Sequence, residues 1–138
     1  MTNFSELTAT VQHLQSIAPE AFTPIENDDD LKRVTTFLRQ LDSVMGETPS
    51  HVLAPLAETV MNRIMAYEAA HFHIPEADPA EMLAFYLEQR QVKQEEVAAG
   101  TGITQSVLSR LLNRKRPFTA DHARSLGAFF KTSPSVFL

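Results

Sequence analysis

The sequence predicts an all-α fold in two parts: a small N-terminal helical domain over residues 1–74 and a five-helix domain over residues 79–138. Three observations predict it. Apolar residues recur at steps of three and four along nearly the whole chain, the spacing of one helix face. No stretch alternates polar and apolar residues over strand length with hairpin signals at its ends. "HIPEADPA", with Pro75 and Pro79, is the best boundary between the parts. A chain of 138 residues suffices for one ordinary domain or two very small ones.

The elements follow in order. Leu7, Val11, Leu14 and Ile17 form a first stripe that stops at Ala18-Pro19, and "PEAFTPIEN" is a turn-rich connector. Asp28, Asp29 and Asp30 offer an N-cap and first-turn acids to a helix carrying Leu31, Val34, Leu38 and Leu41, which Gly46 and Pro49 interrupt. The longest stripe is Leu53, Leu56, Val60, Ile64 and Tyr67; Pro55 suits a first turn, so this helix starts around Ala54. Beyond the boundary the spacing predicts helices over about 79–90, 94–101 and 105–113. A fourth, capped by Thr119, runs through Phe130, and a short turn opened by Ser133-Pro134 closes the chain.

Composition narrows the function classes. At 43% hydrophobic and 21% charged the chain belongs with soluble globular proteins. No apolar run approaches the roughly 18 residues of a membrane span, and "MTNFSELTAT" has neither a basic start nor an apolar core, so no secretory signal is expected. The absence of cysteine excludes disulfides, thiol catalysis and Cys-based zinc sites, and permits a cytoplasmic location. The net charge of −5 hides an asymmetry. Residues 1–75 carry ten acids and four bases, whereas from Gln105 onward there are six bases and one acid. Only the C-terminal surface suits a polyanion.

In that basic region, "GITQSVLSRLLNRKR" follows a short helix closely. A helix-turn-helix needs a small residue where its second helix packs on its first, and Ala98 is there. Its turn needs a residue tolerant of positive φ, and Gly102 is there. Its interior needs apolar groups, met by Val97, Ile103, Leu108 and Leu111; Thr101 stands at a position that is usually apolar, and its methyl can still pack.

"QEEVAAGTGITQSVLSRLLNRKR" resembles the phage-repressor (Xre/Cro) class of helix-turn-helix. The resemblance implies that Gln94 contacts phosphate and braces Gln105. It also implies that Gln105, Ser106 and Ser109 read bases, that Arg110 reaches a base or phosphate, and that Asn113 clamps the backbone. Arg114, Lys115 and Arg116 lie in the loop that approaches the backbone in that class. The chemistry agrees: Gln pairs bidentately with adenine, Arg with guanine, and Ser with several partners. A recognition helix spans few base pairs, so the expected target is a pseudo-palindromic operator bound by a homodimer. The stripe from Leu53 to Tyr67 and the terminal Val136, Phe137 and Leu138 are the candidate dimer surfaces.

Over its whole length the chain is similar in architecture to the HigA-type antitoxins, with the "SPSVFL" ending as a further point of likeness. That similarity implies a protein that neutralises a RelE-like, messenger-RNA-cleaving toxin of the HigB type and represses its own operon. Such toxins are basic, so acids of the N-terminal half, with Asp28, Asp29 and Asp30 foremost, are expected to steer the partner, and this half is expected to face away from DNA. A stand-alone phage-type repressor and a protein-interaction adaptor are the alternatives.

Other constellations read more plainly. Glu68, His71 and His73 suggest a metal site, but histidines two apart on a helix diverge, so no metal and no cofactor are expected. Met61 and Met65 either widen the core or offer an adaptable surface, and His122 reads as a surface residue. No phosphate-cradling glycine loop, nucleophile elbow or HExxH stretch occurs, and an enzyme is not expected.

Overall fold

The computed structural model describes residues 1–71 and 78–138. The described residues form seven α-helices and two 3₁₀ turns, and no strand. The helices are α1 (Phe4–Ile17), α2 (Asp28–Met45), α3 (Ala54–His71), α4 (Pro79–Arg90), α5 (Gln94–Thr101), α6 (Gln105–Leu112) and α7 (Ala120–Phe130). The 3₁₀ turns are Pro19–Ala21 and Pro134–Phe137. None of these helices is long and apolar enough to cross a membrane.

The helix starts are set by short-range capping. Asn3, Asn27, Asp78, Thr104 and Thr119 each accept an N–H of the first turn with the side chain. Asn27, not an aspartate, caps α2; Asp28, Asp29 and Asp30 follow as its first turn, where carboxylates meet the positive end of the helix dipole. Pro79 occupies the first turn of α4 and Pro134 that of the closing 3₁₀ turn, where a missing N–H costs nothing.

Burial falls into two apolar clusters. One joins α2 to α3 through Leu31, Val34, Leu38, Val60, Met61 and Ile64; Met61 is therefore core, with Met65 packed at its edge. The other gathers Leu83 of α4, Val97 of α5, Leu108 and Leu111 of α6, and Leu126 and Phe130 of α7 around Phe137. Both stripes expected to mediate dimerisation are consumed here. Leu53, Leu56 and Tyr67 pack on the first cluster, whose heart is Val60 and Ile64, while Phe137 is fully buried in the second and Val136 and Leu138 lean on it.

The junction between the clusters is held largely by polar groups. Arg39 of α2 pairs with Asp121, donates to the Ser125 hydroxyl and reaches the Thr101 carbonyl at 3.3 Å. Arg116 makes a bidentate pair with Asp42, both bonds 3.0 Å. Glu68 of α3 accepts the Ala120 N–H at the start of α7, at 3.1 and 3.2 Å to its two oxygens. These bonds fix α2 and α3 beside α5, α6 and α7.

Candidate nucleic-acid interface

The turn between α5 and α6 is built as its spacing requires. Gly102 takes φ +76° and returns its N–H to the Ala98 carbonyl, a conformation that L side chains rarely adopt. Thr101 serves the turn through its hydroxyl, which donates to the Val97 carbonyl at 2.7 Å and accepts the Ile103 N–H at 3.1 Å. That explains a hydroxyl at a position expected to be apolar. Thr104 then caps α6 on the Val107 N–H, and Val107, Leu108 and Leu111 anchor its inner face. Gly100 has a packing reason of its own, since a Cβ there would lie 2.4 Å from the Phe129 ring.

The outer face of α6 carries Gln105, Ser106, Ser109 and Arg110, all half-buried, and Gln94 opens α5 close in sequence before the turn. The expected brace between Gln94 and Gln105 is not formed as a hydrogen bond. Residues 83–137, which enclose α5, the turn and α6, match the helix-turn-helix family when the chain is compared with known families. Residues 83–137 are an Xre/Cro-type helix-turn-helix domain. That family is one of DNA-binding regulators of transcription, and α5 and α6 are the two helices of the motif. No curated protein matches the chain.

The basic positions of the helix-turn-helix domain part company in three dimensions. Lys115 is exposed and, among the three loop cations, alone has no ion pair with a described residue. Arg114 is exposed, adopts φ +57° where the chain leaves α6, and clasps Asp78 at 2.5 and 2.9 Å, with Glu81 3.6 Å away. The guanidinium holds the Asp78 carboxyl below the usual carboxylate range. Arg110 folds back along α6 toward the Ser106 carbonyl, at 3.5 Å, and lines a cleft of about 250 Å³ between α6 and the α2–α3 pair. Burial, then the neighbouring Arg116, lowers its affinity for its proton. Asn113 is exposed and donates to the Ser109 carbonyl at 2.8 Å, finishing its own helix.

Arg116 is a correction. Expected beside the DNA backbone, it is 4% exposed, its two terminal nitrogens are taken by Asp42, and its Nε is buried without a partner. A carboxylate opposite a guanidinium in a desolvated place outcompetes water, and the pair closes over α6.

The acidic half is a second correction, because it does not wholly face away from α6. Asp42 lies under the basic loop, and Glu47, from the loop after α2, accepts the Gln105 N–H at 3.1 Å. A carboxylate there meets the positive end of the α6 dipole, which favours the contact. Of the three aspartates expected to meet a partner, Asp28 and Asp29 are exposed, whereas Asp30 is buried, accepting the N–H of Glu26, which precedes the cap, and pairing with Arg33.

His122 is a third correction: it is buried, not on the surface. It completes a reciprocal cap in which the Thr119 N–H donates to His122 Nδ1 at 3.1 Å and the His122 N–H donates to the Thr119 hydroxyl at 3.2 Å. The Glu68–His71–His73 constellation also separates. Glu68 is buried against α7, and His71 is exposed, stacked on Tyr67 with its Nδ1 2.8 Å from the Tyr67 carbonyl. His73 lies outside the described residues.

Proposed function

We propose that this chain is an antitoxin of the HigA type, which represses its own operon through the helix-turn-helix domain and neutralises a basic, RelE-like RNA-cleaving toxin through its N-terminal half, residues 1–74. The observation that carries the DNA-binding part is the recognition helix itself, capped by Thr104 and presenting Gln105, Ser106 and Ser109 on one outer face. In this reading these three read base edges, Gln94 and Asn113 approach phosphates, and Lys115 supplies the free charge that attracts the duplex. Arg110 and Arg114 join them once DNA competes for their present partners. The chain binds as a homodimer, each copy reading one half of a pseudo-palindrome with half-sites about 34 Å apart, or a multiple of that. The toxin assignment is supported by the resemblance in architecture and by the exposed acids at the start of α2.

Two substitutions test the reading of DNA. Gln105→Ala should cost about 1–3 kcal/mol on the operator and relax preference at one base position. Lys115→Ala should weaken all sequences alike and lower the slope of log affinity against log salt by about one unit. Identical behaviour of both variants on operator and random DNA would defeat the assignment. For the second activity, the purified chain should bind the product of a small basic gene beside its own and stop RNA cleavage by it. A chain that binds the operator but leaves that nuclease active is the stand-alone repressor.

A further inference from the structure

The helix α1 has the apolar pattern of a buried helix but only partial cover, with Val11 and Leu14 half-buried. No residue from Phe4 to Ile17 is buried. Phe4 is 73% exposed, Leu7 47% and Ile17 66%. Its principal neighbour is the 3₁₀ turn that follows it, against which the distal part of the helix rests. Burying such a stripe is favourable, and a helix that presents it to water offers a surface for another apolar face.

The pattern on α1 indicates what covers it. Phe4, Leu7, Val11 and Leu14 are spaced three, four and three apart, which is the seam of two heptads and packs best on another helix with the same repeat. The flanks of that seam carry Thr8, Thr10 and Gln15, all uncharged; the one acid of α1, Glu6, lies beside Leu7 and outside the seam. From Leu7 to Pro19 there is no Asp, Glu, Lys or Arg, a run matched in length only by the one between Glu96 and Arg110. A strongly basic partner would find no carboxylate to pair with on this face. Two copies of a chain with net charge −5 repel one another except where they meet through a neutral surface, and α1 is that surface.

We infer that α1 pairs with α1 of a second copy, so that the two seams close on each other and join two chains at their N-terminal ends. The pair gives the two-fold assembly that the proposed operator reading requires; it rests on that reading for its role and on α1 for its existence. Two helices of 14 residues are about 21 Å long and cover less than the roughly 1,200 Å² of a standard stable interface. The dimer is therefore dissociable, on the order of micromolar, and DNA with two half-sites tightens it.

The experiment is sedimentation equilibrium of the full chain across about 1–100 µM, with helix content followed by circular dichroism. Wild type should pass from monomer to dimer in that range. Leu7→Glu and Leu7→Lys, at an exposed position outside both apolar clusters, should keep the fold and weaken the dimer by about tenfold or more. Mixing the two should restore it if the helices run parallel. Mixing Leu7→Glu with Val11→Lys should restore it if they run antiparallel. A dimer indifferent to both charges places the interface elsewhere and overturns the inference. So do a wild type that stays monomeric at 100 µM, a loss that neither mixture repairs, and a seam whose charges abolish binding of a basic partner protein while the dimer persists. Binding of a single half-site by the Leu7→Glu variant is measured alongside; it is retained if α6 reads DNA and α1 only pairs, so failure of the pairing and failure of the DNA reading give different results.

Discussion

His122 keeps its imidazole neutral because burial, followed by the nearby Arg116 and Arg39 charges, pushes its pKa down to about 3 from 6.5. A neutral ring leaves Nδ1 free to accept the Thr119 N–H, and protonation would turn that acceptor into a donor facing another donor. The folded-state value lies below the unfolded one. The stabilisation is therefore fully present above pH 6.5 and is lost as pH falls below it, at up to about 1.4 kcal/mol per pH unit. Glu68 acts in the opposite sense: burial raises its pKa, although the Ala120 N–H and then Arg124 draw it back, so acid relieves a cost there and blunts the loss. His122→Gln retains a side chain that can reach back to the cap and removes the titration. Urea denaturation at pH 7.5 and 5.0 should show the variant losing about 2 kcal/mol less than wild type over that interval. An equal loss in both proteins would assign the acid sensitivity to another group.

At the scale of elements, α2 works as a splint for the helix-turn-helix domain. Arg39 ties it to the turn and to α7, Asp42 to the loop after α6, and Glu47 follows it onto the start of α6. The Arg116–Asp42 pair is the most desolvated of these, and a buried guanidinium left alone is far more costly than the pair is favourable. Arg116→Ala or Asp42→Ala alone should cost about 3–5 kcal/mol in denaturant unfolding, whereas Arg116→Met combined with Asp42→Leu should lie much nearer to wild type. The double variant also measures the loop's part in DNA binding. Its salt slope should equal that of wild type; a slope lower by about one unit would show that Arg116 leaves Asp42 to bind phosphate.

On the scale of the whole molecule, the charge asymmetry is partly spent inside the chain. Asp42, Glu47, Glu68 and Asp30 are engaged by Arg116, the Gln105 amide, the Ala120 amide and Arg33 respectively, which leaves Asp28 and Asp29 as exposed acids of the α2 start. Long-range steering of a basic partner depends on such solvent-facing charge and is screened by salt. Asp28→Asn with Asp29→Asn should slow toxin association at low ionic strength and change it little at high ionic strength, by stopped-flow measurement. An unchanged rate at low salt would remove the α2 start from the toxin interface.

What the sequence by itself determined are the features whose causes are local. The starts of α4, α6 and α7 rest on a side chain capping an amide two or three residues on, and the turn rests on a glycine free to take φ +76°. The spacing of Val97, Ile103, Leu108 and Leu111 sets which faces of α5 and α6 meet. Each of these is written within about one helical turn of the residue it governs, so the helix-turn-helix was legible in the chain. Tertiary structure alone decided which charges remain free. Asp42 and Arg116 are separated by 74 positions, Arg39 and Asp121 by 82, and Glu68 and Ala120 by 52. It likewise decided which apolar stripes are covered. The stripe on α3 and that on α1 have the same periodicity, and only the first joins an apolar cluster within the chain, with α2. Periodicity tells a helix which side is apolar; whether water or another helix lies against that side depends on where the rest of the chain comes to rest.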